Sequence, residues 1–241
     1  MSEYYIGTSG WHYEHWRGLF YPEKLPKSKW LEFYVGHFNT VEVNNSFYRL
    51  PSETAFIQWR ESVPTYFNYA IKANRFITHI KRLQNSEVPL ENFLSRARLL
   101  GNKLGAILYQ LPPQMKRDDK TLEAFLTLLT PEFRHVFEFR HKSWIQDSVF
   151  SLLQRYGAGF CIFDMPDFAC PLVTTSNFAY IRFHGSQGLY RSCYNEEELS
   201  RWSQRIIQLG KNLKEVYIYF NNDVEAYAAV NAQRLRQMLV D

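Results

Sequence analysis

Eight short runs of apolar, β-branched and aromatic residues recur along this chain, alternating with stretches of helical periodicity. The runs are Tyr4–Ser9, Phe38–Asn44, Phe67–Asn74, Leu104–Gln110, Val136–Arg140, Gly159–Asp164, Ala179–His184 and Glu215–Asn221. Ser52–Ser62, Leu90–Leu100, Lys120–Leu129, Ser148–Tyr156, Glu196–Leu209 and Asp223–Leu239 space their apolar residues as amphipathic helices do, and Asn74–Pro89 is the least regular connection. Strand and helix in alternation are what parallel β/α units require, because a parallel partner is reached only through a crossover. An open doubly wound sheet and a closed barrel both satisfy this order. No GxGxxG or GxxxxGK loop follows any run, so the nucleotide-binding open sheet lacks its marker. A length of 241 residues fits one closed barrel. The expectation is an α/β protein, a single-domain TIM-type (β/α)8 barrel over residues 1–241.

Alternate side chains of a strand share a face, and in a barrel one face meets the axis. Val41 and Val43 alternate with Glu42 and Asn44, and Lys72 and Asn74 flank Ala73. Phe137 and Phe139 alternate with Glu138 and Arg140, Ile181 and Phe183 with Arg182 and His184, and Ile218 and Phe220 with Tyr219 and Asn221. Ser9, Gln110 and Asp164 close the first, fourth and sixth runs. Every strand thus carries a small or polar group late, at the end where barrel enzymes build their sites. The alternative is a charge-balanced plug in which Glu42, Glu138 and Asp164 neutralise Lys72, Arg140 and Arg182. Barrel interiors are ordinarily filled by Val, Ile and Leu, and a plug of charges carries a desolvation cost that apolar residues avoid, which favours a functional reading.

Other features read as structure. The aromatic run Trp11, Tyr13, Trp16, Phe20 and Tyr21 suits loop packing better than base stacking. His12, His15, His37, His79, His135 and His141 show no HExxH spacing, and only His184 sits at an expected strand end, so no zinc centre is read. Lys103, Arg117, Lys211 and Lys214 read as solvated charges. Cys161, Cys170 and Cys193 are odd in number and lack CxxC spacing, which argues against a disulfide framework. With no basic and apolar leader and no apolar stretch of spanning length, a cytoplasmic protein without a membrane segment is expected. The net charge of +4 favours anionic partners mildly and is too small for a nucleic-acid footprint on its own.

The segments at the strand ends resemble the YecE-like family, domain of unknown function 72, over almost the whole chain. The residues that carry the likeness are Gly7, Thr8, Ser9, Gly10, Trp11, Tyr13, Trp16, Gly18, Phe20, Tyr21 and Pro22; Glu42, Asn44, Phe47, Tyr48 and Pro51; Lys72; and Gln110, Pro112 and Pro113. Glu138, Arg140, Ser143 and Trp144, Asp164, Tyr180, Arg182, His184, Gly185, Tyr194, and Tyr219 to Asn222 continue it. The resemblance implies a β/α barrel and no particular activity, so chemistry has to be argued from the residues.

Arg140 and Arg182 offer planar guanidinium groups suited to carboxylate or phosphate, and Lys72 adds a third cation on the same rim. Glu42 and Glu138 are the candidates for proton transfer, Asp164 for orienting a base or holding a hydroxyl, and His184 for acid–base work or a rim hydrogen bond. Lys72 is also a candidate for imine formation with a carbonyl substrate. Ser9, Trp11, Asn44, Gln110, Arg140, Arg182, Tyr219 and Asn221 are the expected binding residues. The leading expectation is a metal-independent acid–base enzyme acting on a small anionic or polyhydroxylated molecule such as a sugar phosphate. Alternatives are a nucleic-acid-binding or phosphodiester-cleaving barrel and a non-catalytic metabolite sensor. No cofactor is read, although magnesium on Glu42, Glu138 and Asp164 is compatible with either enzymatic reading. Protein partners are not legible.

Overall fold

The structure, a computed structural model, describes residues 2–240. Its eight strands are β1 (Glu3–Thr8), β2 (Thr40–Val43), β3 (Asn68–Lys72), β4 (Leu104–Gln110), β5 (His135–Glu138), β6 (Gly159–Asp164), β7 (Phe178–Phe183) and β8 (Glu215–Phe220). All pair in parallel in the order β1-β8-β7-β6-β5-β4-β3-β2, and a bridge between Ser9 and Glu42 joins the two ends of that order into a barrel. Each strand lies within one of the eight apolar runs or overlaps it to within a residue or two.

The helices are α1 (Trp30–Val35), a single turn α2 (Asn45–Tyr48), α3 (Glu53–Glu61), α4 (Glu87–Arg98), α5 (Asp119–Leu126), α6 (Asp147–Arg155), α7 (Glu196–Gly210) and α8 (Tyr227–Val240). Ser52 caps α3, Asp118 caps α5, and Asn195 with Glu198 forms a capping box on α7, so short polar residues fix where these helices begin. The irregular third connection holds a π turn at Phe76–Ile80. Strict alternation fails once: β6 returns to β7 through residues 165–177 with no helix. Pro166 and Pro171 interrupt that segment, and each removes a backbone donor that a helix needs. Lys103 also departs from expectation. It is buried, and its ammonium donates to the carbonyls of Arg60, 2.6 Å away, and Val63, satisfying the C-terminal end of α3.

The β1–β2 seam is spliced by side chains rather than by a full ladder. The Tyr34 hydroxyl accepts from the Thr8 N–H at 2.9 Å and donates to the Thr40 carbonyl at 3.1 Å. The Asn39 side chain does the same one step lower, accepting from the Ile6 N–H at 3.0 Å and donating to the Tyr4 carbonyl at 2.8 Å. Gly7 allows this approach, since a Cβ there would stand 2.1 Å from the Thr40 carbonyl oxygen.

Side-chain parity separates two apolar regions. Val41, Ile71, Tyr109, Phe137, Ile162, Ile181, Ile218 and their neighbours pack against the helices. Tyr5, Ala70, Ala106, Leu108, Val136, Cys161, Phe178, Tyr180, Tyr217 and Tyr219 fill the barrel. Large rings from β1, β7 and β8 face alanines from β3 and β4 across the axis, which keeps the interior filled. The rings also form a floor on which the mouth residues rest.

Because Tyr34 is fully buried, Tyr34→Phe leaves an unpaired donor and acceptor at the seam. It is expected to cost about 1–3 kcal/mol, read as a fall in Tm by circular dichroism. Gly7→Ala is expected to cost more, because the obstacle is backbone. A Tyr34→Phe protein melting at the wild-type temperature would show that the seam does not depend on this hydroxyl.

Candidate functional site

The C-terminal ends of the strands point one polar side chain after another into the barrel, directly above the aromatic floor. Glu42 leaves β2, Glu138 leaves β5 and Arg182 leaves β7, and all three are buried, with Arg182 only 1% exposed. Arg182 Nη2 donates to Glu42 Oε1 at 2.7 Å and its Nε to Oε2 at 2.9 Å, while Nη1 donates to Glu138 Oε2 at 2.6 Å. The Tyr180 hydroxyl donates to Glu42 Oε2 at 2.6 Å. Arg140 Nε donates to the other Glu138 oxygen, Oε1. Burial by itself pushes both carboxyls up, and the guanidinium groups more than offset it: Arg182 holds Glu42 below its ordinary value, and Arg140 with Arg182 holds Glu138 well below it.

His184 sits above this layer. Its Nε2 is 2.8 Å from Arg140 Nη2 and its Nδ1 3.1 Å from the Asn221 side-chain amide. An arginine cannot accept, so Nε2 is the acceptor and Nδ1 of the neutral ring carries the proton; the Asn221 Nδ2 that faces it is also a donor, and only turning that amide over would bring its oxygen to accept. Burial, then the charges of Arg182 and Arg140, lowers this imidazole to about 3, so it stays neutral. With Nε2 engaged by the guanidinium, His184 orients Arg140.

Lys72 differs from the other mouth cations. Its ammonium makes no hydrogen bond or ion pair among the described residues and rests 4.2 Å from the centre of the Phe47 ring, a cation–π contact. Burial and then the Arg182 charge lower its pKa to about 8, with Arg140 adding to the shift and Glu138 and Glu42 opposing it. Extending the β2–β3 register by one residue places Lys72 beside Asn44, whose Oδ1 has no partner. Ser9 Oγ, at the bridge to Glu42, is likewise buried without a partner. Buried polar atoms are seldom left in that state, which marks this side of the mouth as a place for ligand or water hydroxyls. Gln110 stands next to Glu138 in register, half exposed at the same rim.

Of the expected site residues, the fold brings together Glu42, Lys72, Glu138, Arg140, Arg182, His184, Ser9, Asn44, Gln110 and Asn221. Asp164 is not among them. It follows Phe160 and Ile162 on the outer face of β6, and its carboxyl lies toward Tyr194 and Trp202 of α7. Position at a strand end was legible, but parity reverses its direction. The proposed magnesium set of Glu42, Glu138 and Asp164 therefore does not assemble, since two of its carboxylates are taken by arginines and the third faces away. Among the described residues no group of three or more His, Cys, Asp or Glu side chains is placed to hold a metal. Tyr219 is floor rather than ligand contact: it is fully buried, and its hydroxyl meets Thr40 Oγ1 at 2.7 Å. Trp11 lies edge-on to Trp59 of α3, 6.3 Å between centres. The aromatic run around it is packing, with Trp16 and Tyr21 buried and Tyr21 stacked on Trp30 at 4.8 Å.

Tyr180 and Phe47 belong to the site and had no place among the expected site residues. Tyr180 lies two residues before Arg182 on the same face, so parity alone would have found it. Phe47 acts through α2, whose direction no sequence pattern fixes.

Arg182→Met leaves two buried carboxylates without their common counter-charge and is expected to cost about 3–5 kcal/mol at pH 7. The sign with pH follows from the lowered carboxyls. In the wild type their contribution is present above the unfolded carboxylate pKa and lost as pH falls through the folded values. The variant lacks that contribution, so the gap between the two proteins in urea unfolding should hold level from pH 7 to about 5 and narrow as pH falls further, through the unfolded carboxylate value and toward the lowered folded ones. A gap that does not change with pH would mean that Glu42 and Glu138 are not held ionised by Arg182.

The sequence profile of the family described as "Protein of unknown function DUF72" matches residues 5–241. UPF0759 protein YunF of Bacillus subtilis is 27% identical over 98% of this chain and 94% of its own length. UPF0759 protein YecE of Escherichia coli K12 is 32% identical over 57% of this chain and 48% of its own. The crystal structure of a DUF72 family protein from Thermotoga maritima superposes with a TM-score of 0.89 at 31% identity, covering 99% of this chain and all of that one (100%). A barrel with this layout, matched along nearly its whole length, belongs to the DUF72 family.

Proposed function

We propose that the mouth of the barrel binds a small anionic, polyhydroxylated molecule such as a sugar phosphate and acts on it without a metal, with Lys72 as the residue that meets it. One observation carries the proposal. Two carboxylates and two guanidinium groups cancel within the buried network, and Lys72 is left over as an unpaired cation next to Asn44 in register, with Asn44 Oδ1 and Ser9 Oγ unpaired at the same mouth. An anion supplies the missing charge, and ligand hydroxyl groups supply partners for Ser9 Oγ and Asn44 Oδ1.

This reading moves the proton-transfer role. Glu42 and Glu138 are held as anions with their oxygens occupied, so they position Arg182 and Arg140 rather than exchange protons. A lysine at about 8 populates both protonation states close to neutral pH and suits either task, charge or base.

Inorganic phosphate, pyrophosphate and ribose 5-phosphate are the probes to use, with thermal stabilisation as the readout. Stabilisation of the wild type is expected at pH 7, to decline as pH rises through about 8 when the ammonium loses its proton, and to be absent in Lys72→Met. Equal stabilisation in the variant, or none by any probe in the wild type, would overturn the proposal.

A second reading, binding of single-stranded nucleic acid, is favoured by one stretch. Residues 62–86 contain no acidic side chain and carry Lys72, Arg75, Lys81 and Arg82 near the exposed Tyr48 and Phe76. Fluorescence anisotropy with a labelled oligothymidylate should then show binding that weakens steeply with salt. No binding at low salt removes this reading.

A further inference from the structure

We infer that Lys72 is an imine-forming nucleophile, and that the mouth takes small aldehydes or ketones carrying an anionic or polyhydroxylated tail. The inference deepens the anion-binding proposal for the same site by giving its lysine a covalent role.

The geometry meets what such a lysine needs. The amine stands at the C-terminal end of β3, reaching the mouth where a substrate would enter. No carboxylate lies within ion-pairing distance among the described residues, so no counter-ion stabilises the protonated form directly. The Phe47 ring covers the ammonium at 4.2 Å, a contact that by itself favours the charged form and is outweighed by burial and the neighbouring guanidinium groups. Arg182 and Arg140, fixed by Glu42 and Glu138, place two further positive charges nearby, and desolvation with neighbouring cations is the combination that frees a lysine lone pair. Lys103 has the opposite arrangement: its ammonium is buried away from the mouth and donates to two backbone carbonyl oxygens.

The step balances within the site. The neutral amine attacks the carbonyl carbon, the carbonyl π pair moves to oxygen, and a proton passes from nitrogen to that oxygen to give a carbinolamine. Loss of the new hydroxyl with a proton as one water forms the C=N bond, and protonation of nitrogen gives the iminium. The carbinolamine hydroxyl is of the size and polarity that the unpartnered Asn44 Oδ1 and Ser9 Oγ can take up. The arginines bear no part in bond making; they and the carboxylates hold the charge balance around the nitrogen.

The test uses the wild-type protein with glycolaldehyde phosphate and sodium cyanoborohydride, which delivers a hydride to an iminium carbon and fixes it as a secondary amine. Peptide mapping by mass spectrometry then reads the rate at each lysine. Lys72 is expected to label at least about tenfold faster than the exposed Lys120 at pH 7.5, with a rate that levels off above about pH 8. In Lys72→Arg the fast adduct should vanish and the slow surface labelling remain. Labelling spread over the lysines by exposure, with Lys72 no faster than Lys120, overturns the inference. If phosphate still stabilises the protein through Lys72 in that case, the anion-binding proposal stands by itself. If Lys72 labels fast and phosphate has no effect, the nucleophile stands and the anion-binding proposal falls.

Discussion

Everything at the mouth of this barrel rests on a guanidinium group shared between two carboxylates. Arg182 of β7 binds Glu42 of β2 through two of its nitrogens and Glu138 of β5 through the third, so strands from different sides of the barrel are tied through one fully buried cation. Removing charges from water costs several kcal/mol each, and the attraction compensates only with good geometry and filled hydrogen-bonding positions. Both conditions hold, because Tyr180 and Arg140 take up further lone pairs of the same carboxylates. The layer is the plug that the strand pattern allowed as an alternative, and it serves as the base beneath the unpaired side of the mouth.

The plug and the function are therefore compatible. Glu42 with Arg182 and Glu138 with Arg140 close the charge balance below, which isolates Lys72 above and leaves its ammonium nothing but an aromatic ring to lie on. His184 is drawn into the structural set by the same logic, since Arg140 occupies Nε2.

The order of eight strands was legible because the barrel wall must be apolar on its helix-facing side, which leaves runs that stand out between amphipathic helices. Parity went further and named Glu42, Glu138, Arg182 and His184 as neighbours on one face. It failed where it was not applied: Asp164 shares its face with Phe160 and Ile162, and the alternation already pointed it toward α7. The helixless return through residues 165–177 was equally written in its two prolines. Short α1, packed through Trp30 and Tyr34, was hidden because six residues show too little of a helical period to read.

What the sequence determined by itself is the barrel, the end of it that carries polar residues, and the set of charges found there, since these follow from periodicity and parity along single strands. What only the tertiary structure decided is which charges cancel. Pairing depends on distances between strands far apart in the chain and on the reach of each side chain, and no local pattern encodes either. Three cations and three carboxylates read alike in one dimension. In three dimensions Arg182 and Arg140 pair with Glu42 and Glu138, Asp164 turns outward, and Lys72 alone of these cations is left without a counter-charge within ion-pairing distance among the described residues.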